Sequence, residues 1–361
     1  MGVAYSKPTN RRKPNKFKRK YDKNYKDDKN DKNDKNDKND KNDKNEKNEM
    51  ERITIDSLYS AGLNSPRSIG RFLSVTYPYF HDEIEAIKME RQNLLYKEMW
   101  QGNFCAPVDE ILETGGHVLD LGCGPGAYIV DCAKDYPLST FMGIDISPMF
   151  NIIRSPPNVG FMEYNLLDGI PFPNFTFDYV HQRLLTLAYT EEQWEDAIEE
   201  IVRVCKPGGW VELLEPDFII NNAGPITKFY FDEFRSCMNS RGINTCISSR
   251  LPKLLEATNQ MSEIFVLEKQ LPIGNYDLEF GAEGAITVID AINSTRTIMK
   301  DLLKLNDDEY SEMIQNIAAE ARCPQYKMSM TFRRIYGMKI KTSLSDYSDS
   351  SSSRSESYIH I

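Results

Sequence analysis

The stretch 117–132, HVLDLGCGPGAYIVDC, constrains the fold more than any other part of the chain. An apolar run breaks at Gly122, Gly124 and Gly126, then resumes with Ile129, Val130, Ala133 and Tyr136 on one helical face. A strand delivered into a glycine turn and then a helix is how a parallel α/β unit begins. Glycines at alternate positions keep Cβ atoms away from whatever the turn holds. The question is what that is.

The rest of the chain repeats the alternation. Residues 140–144 read as a second buried strand ending at Asp145, and GFMEYN and FTFDYVHQ as two more. Thr190 to Gln193 form a capping box, which predicts a helix with Trp194, Ala197, Ile198, Ile201, Val202 and Cys205 on its apolar stripe, stopped by KPGG. WVELLEP is a further strand. Helices are expected over 283–305 and 307–321, the second capped by Asn306 with Glu309, and a last strand at MSMTFRRIYGM. An amphipathic segment, 82–100, is placed to fold over the glycine turn. The class is α/β: a mostly parallel sheet with helices on both faces.

Charge divides the chain. Residues 1–50 hold 17 Lys+Arg against 10 Asp+Glu, a net of +7, which leaves −17 for the remainder of a chain whose total is −10. An acidic body repels phosphate, so nucleic acid is an improbable partner for the folded domain. Residues 28–48 are seven (Asp/Glu)-Lys-Asn triplets with nothing to bury, and 342–361 is Ser-rich; both are expected to be disordered. The chain therefore divides into a basic arm and linker (1–65), one folded domain (66–341) and a tail (342–361). Within the domain lie a core (117–216), an aromatic-rich helical lid on the acceptor side (221–255) and C-terminal helices and strand (261–339).

The basic cluster from Lys7 to Lys20 fits a nuclear address, a membrane-surface patch or a solubilising tail. MGVAYS also fits the acylation pattern at Gly2, and one acyl chain with a polybasic patch is enough for peripheral membrane contact. No run approaches the roughly 18 apolar residues of a membrane span, and the start lacks a secretory apolar block. Seven unpatterned cysteines argue for reduced thiols in the cytoplasm or nucleus, and no zinc spacing is present.

Asp145, 19 residues after Gly126 at the end of the next strand, can accept both hydroxyls of a ribose, so the site asks for a nucleoside. Two compete. Gly122, Gly124 and Ala127 also satisfy the dinucleotide fingerprint. Against it stand Asp120, whose carboxylate suits an ammonium and repels a pyrophosphate, the GCGPG form with Pro125, and KPGGW ahead of a fifth strand.

VLDLGCGPG, FMGIDIS, LDGIPFPNFTFDYVHQRLL and VRVCKPGGWVELLEPD, in that order and spacing, resemble the class I S-adenosylmethionine-dependent methyltransferases, with details similar to the fungal LaeA-like members. The resemblance spans roughly residues 83–338. It implies a Rossmann-like methyltransferase fold with a seven-stranded sheet, S-adenosyl-L-methionine as cofactor and a small-molecule or protein methyl acceptor. It implies that Asp120 and the Gly122, Gly124 and Gly126 backbone hold the methionine half. Asp145, with Ile146 beside it, would hold the ribose end. Asn165 stands where the family more often has Asp facing the adenine amine, and the Leu166 N–H would reach the ring. His181 would line the methyl-transfer region as the catalytic candidate, with Tyr189 and Glu215 as other possible bases. The position of the Asn/Asp-Pro-Pro-aromatic motif holds HQRL instead, which argues against base- or glutamine-methylating activity. A cofactor-binding regulator with little turnover, and a nicotinamide oxidoreductase, remain the alternatives.

Overall fold

A computed structural model describes residues 4–5, 83–152 and 154–341. The basic cluster, the triplet repeat, Gly2 and the Ser-rich tail lie outside the described residues. Strand β1 (Ala4–Tyr5) precedes helix α1 (Glu83–Trp100), α2 (Asp109–Thr114), β2 (His117–Leu121), α3 (Ala127–Asp135), β3 (Thr140–Asp145) and β4 (Val159–Glu163). There follow β5 (Phe177–Arg183), α4 (Glu191–Val204), β6 (Cys205–Asn221), α5 (Pro225–Asn239), α6 (Leu251–Ala257) and β7 (Met261–Ile273). The last elements are α7 (Gly281–Ser294), α8 (Arg296–Leu303), α9 (Asp307–Arg322) and β8 (Met328–Lys339).

One sheet runs β1-β7-β8-β6-β5-β2-β3-β4. Strands β6, β5, β2, β3 and β4 are parallel, and β8 lies antiparallel between β6 and β7. The chain steps outward from β2 through β3 to β4, then returns to the other side of β2 with β5 and β6. The order thus reverses between β2 and β5, where open α/β sheets hold ligands. There Asp120 pairs in register with His181, so Gly122 and Arg183 leave the sheet at adjacent strand ends.

Two apolar clusters hold the layers. One gathers Val118, Tyr128, Ile129, Phe141 and Tyr179 beneath α3. The other packs Tyr230, Phe231, Phe234, Ile292 and Ile317 with the inner faces of β7 and β8. The capping boxes at Thr190/Gln193 and Asn306/Glu309 form as the sequence predicts.

Four features differ from expectation. The seven strands are joined by an eighth, since Ala4–Tyr5 pairs with Phe265 and Val266 although the arm was expected to be disordered there. Strand β7 carries no clean apolar alternation, because Glu263, Glu268 and Gln270 face solvent along it, and it was not anticipated. The expected helix 283–305 breaks at Thr295, whose Oγ1 donates back to the carbonyls of Ala291 and Ile292 at 3.2 and 3.0 Å. Finally, strand β6 runs well beyond 210–216 at both ends.

Candidate functional site

A cavity open to solvent sits over the switch point. Its floor is the carboxyl ends of β2, β3, β5 and β6, represented by Gly122, Asp145, Arg183 and Pro216. Helix α1 supplies one wall through Lys88, Met89, Gln92 and Tyr96, and α7 supplies another through Thr287, Val288 and Ala291. Leu271, Met330 and Phe332 of the antiparallel strands close the far end with apolar surface.

The glycine turn is built for tightness on both sides. Gly122 has φ +66°, and a Cβ there would come within 2.7 Å of Leu185 Cδ2. Gly126, at φ +89°, caps α3, and a Cβ would meet Phe161 Cζ at 2.5 Å. Both positions combine a left-handed backbone with filled space, so no other residue fits. Over Gly124 lies Met89 of α1, its Sδ 3.1 Å from where a Cβ would stand. The segment expected to cover the turn therefore does so. The Gly124 N–H donates to Asp145 Oδ2 at 2.8 Å, and the Ser147 N–H to Oδ1 at 2.9 Å. Asp145 thus welds the turn to the end of β3 while still facing the cavity.

Of the residues singled out from sequence, Gly122, Gly124 and Asp145 line the cavity. Gly126 lies just behind, as the helix cap. Ile146 is 56% exposed beyond β3, on the surface rather than in the lining. Asn165 spends its Oδ1 on the Leu167 N–H at 3.1 Å, capping the short 3-10 turn Leu166–Asp168, and neither Asn165 nor Leu166 lines the cavity.

Asp120 and His181 lie outside the lining. Both side chains are sealed one step back along their strands from Gly122 and Arg183, with 2% and 1% exposure. His181 Nδ1 lies 2.7 Å from Asp120 Oδ1, within hydrogen-bond distance. The imidazole stacks on Tyr128 with centroids 3.8 Å apart, and its Nε2 is buried without a partner. Burial pushes the His181 pKa down against the opposing pull of Asp120. One Asp120 oxygen is taken by His181, and neither side chain is in the cavity lining.

The other possible bases are also inside. Burial raises Glu215 to about 7 against its hydrogen bonds from Leu185 and Thr186. It accepts the Leu185 N–H at 3.0 Å, the Thr186 N–H at 2.9 Å and the Thr186 hydroxyl at 2.8 Å, which pins the loop forming the cavity floor after β5. Tyr189 is buried, and Asp217 is tied to Arg333 and to the Ser248 hydroxyl. Segment 221–255 contributes nothing to this cavity; Tyr230, Phe231 and Phe234 are core instead. The wall on that side comes from α7, a stretch the sequence marked only as helix.

Sequence reasoning missed Arg183. It follows His181 by two residues on the same strand face, at the point where β5 runs out into the cavity. That period-2 offset was the available signal. No group of His, Cys, Asp or Glu among the described residues could hold a metal ion. None of the described helices is long and apolar enough to cross a membrane.

Comparison with known proteins bears on this same segment. Residues 118–209, from β2 into the start of β6, match the methyltransferase domain family. Outside that segment, similarity is partial. Methyltransferase str3 of Strobilurus tenacellus is 30% identical over 46% of this chain and 60% of its own length, so the chain spans about three fifths of that relative. The secondary metabolism regulator laeA of Coprinopsis cinerea is 33% identical over 44% of this chain and 41% of its own. A solved Haemonchus contortus phosphoethanolamine N-methyltransferase 2 in complex with S-adenosyl-L-methionine superposes with a TM-score of 0.40 at 14% identity, over 70% of this chain and 57% of that one.

Proposed function

We propose that this methyltransferase domain binds S-adenosyl-L-methionine in the cavity and transfers its methyl group to a small-molecule or protein acceptor. The observation that carries the reading is the union of the glycine turn with Asp145 at the switch point, inside the segment that matches the methyltransferase domain family. The residues present fit the cofactor. Asp145, held by the Gly124 and Ser147 N–H groups, presents a carboxylate to the cavity, an acceptor suited to ribose hydroxyls. Gly122 and Gly124 present bare backbone to the amino-acid half.

When bound, the cofactor supplies a sulfonium-activated methyl group. The chain's own part is alignment and exclusion of water. Helices α1 and α7 roof the cavity, linked by the Arg91–Asp290 ion pair. Glu215 fixes the floor. His181, Tyr189 and Glu215 are not in the lining, so an acceptor proton would leave by another group or to solvent.

A second reading, a regulator that binds the cofactor with little turnover, draws on the relatives named laeA. Calorimetry with S-adenosylhomocysteine tests binding: the wild type is expected to bind, and Asp145→Ala to lose about 100-fold or more in affinity. Normal affinity in that variant would falsify the site assignment. Incubating the protein and labelled cofactor with cell extract separates the two readings, since only the enzyme passes label to an acceptor.

A further inference from the structure

The charged side chains lining the cavity are Lys88, Asp145, Arg183 and Asp290. Asp145 takes backbone N–H groups, Asp290 takes Arg91, and Lys88 has interactions of its own. Arg183 differs. Its guanidinium rests over the Tyr128 ring, 4.9 Å from the centroid, and forms no hydrogen bond or ion pair among the described residues. Five donors in a planar fork are left for the cavity.

The position is held firmly. Tyr128 follows the glycine turn on α3, stacks on His181 with one face, and bonds Tyr179 through the hydroxyls at 3.3 Å. Asp120 contributes charge that favours the guanidinium, but its Oδ1 is given to His181. Burial lowers the Arg183 pKa without coming near to removing its charge. A half-buried guanidinium that opens onto a cavity with its donors unused is placed to receive an acceptor from a ligand. The site also lies beside Gly122, where the reading above puts the amino-acid half of the cofactor, which carries a carboxylate.

We propose that Arg183 is a carboxylate-binding residue at the floor of the cavity, paired through its guanidinium fork. The inference rests on the cofactor reading only for where the carboxylate comes from. That source is either the amino-acid end of the cofactor or an acidic acceptor whose apolar body occupies the surface of Leu271, Met330 and Phe332. Arg–carboxylate pairing of this bidentate type is charge-assisted and geometrically selective.

The test compares carboxylate and neutral probes on wild type, Arg183→Met and Arg183→Lys by calorimetry. S-adenosylhomocysteine is set against 5′-methylthioadenosine, which keeps the nucleoside thioether and lacks the amino acid. Octanoate is set against octanamide, with and without methylthioadenosine. Arg183→Met is expected to weaken the carboxylate member of one pair about tenfold or more and leave the neutral member within about twofold. Arg183→Lys should fall between. Loss on the first pair assigns the cofactor's carboxylate; loss on the second assigns the acceptor's. Retained methylthioadenosine binding shows that the variant is folded. If wild type binds neither nucleoside but binds octanoate through Arg183, the cofactor reading fails and the anion site stands. An unchanged carboxylate-to-neutral ratio in both pairs, or no carboxylate binding by wild type, overturns the proposal.

Discussion

At the scale of single residues, the site separates side chains that face the cavity from those that hold it in shape. Asp145 does both. Asp120 and His181, sealed one step back along their strands, only stiffen the layer under Arg183. Glu215 gives this division a pH dependence. Its folded-state pKa, about 7, lies above the ordinary 4.5, so the folded chain keeps a proton that the unfolded chain releases. The stability it contributes is fully present below pH 4.5 and is lost as pH rises through 7, a change on the order of 3 kcal/mol. Urea denaturation of wild type and Glu215→Gln between pH 4.5 and 8 should show the wild type losing ground to the variant across that window. Parallel curves would remove burial as the cause.

At the scale of elements, local rules worked where the signal was local. The capping boxes at α4 and α9 needed only four residues each, and both form. In α4 the Gln193 N–H donates to Thr190 Oγ1 at 3.3 Å and the Thr190 N–H to Gln193 Oε1 at 2.9 Å. Thr190→Ala should cost about 1 kcal/mol in chemical denaturation, with cofactor affinity unchanged, because α4 lies outside the cavity lining. Local rules failed for β7, a strand whose partners lie on either side of it in space. Its alternation is diluted by polar residues facing solvent, and β8, 55 residues further on, secures it.

At the scale of the whole molecule, the switch point turns two distant parts of the chain, the glycine turn and α7, into one cavity. A ligand that binds only this assembled state must stabilise it. S-adenosylhomocysteine at one hundred times its dissociation constant should add about 2.7 kcal/mol. For a domain of this size that raises the thermal midpoint by about 5 °C or more. A midpoint unmoved by saturating ligand would mean that the cavity is not its site.

Residues 117–145 carried the strand, the glycine turn, the following helix and the acidic strand end in their own order, because backbone geometry and periodicity are written in neighbouring residues. That the sheet is mostly parallel followed from the same alternation. What only the tertiary structure decided is where along a strand the side chains begin to meet the cavity and what lies opposite them. Asp120 and Arg183 sit on adjacent strands, yet one is sealed against a histidine and the other opens onto the ligand space. The difference comes from packing across the sheet: Tyr128 covers His181 and carries Arg183 on its ring, a contact between residues 55 apart that no local pattern encodes.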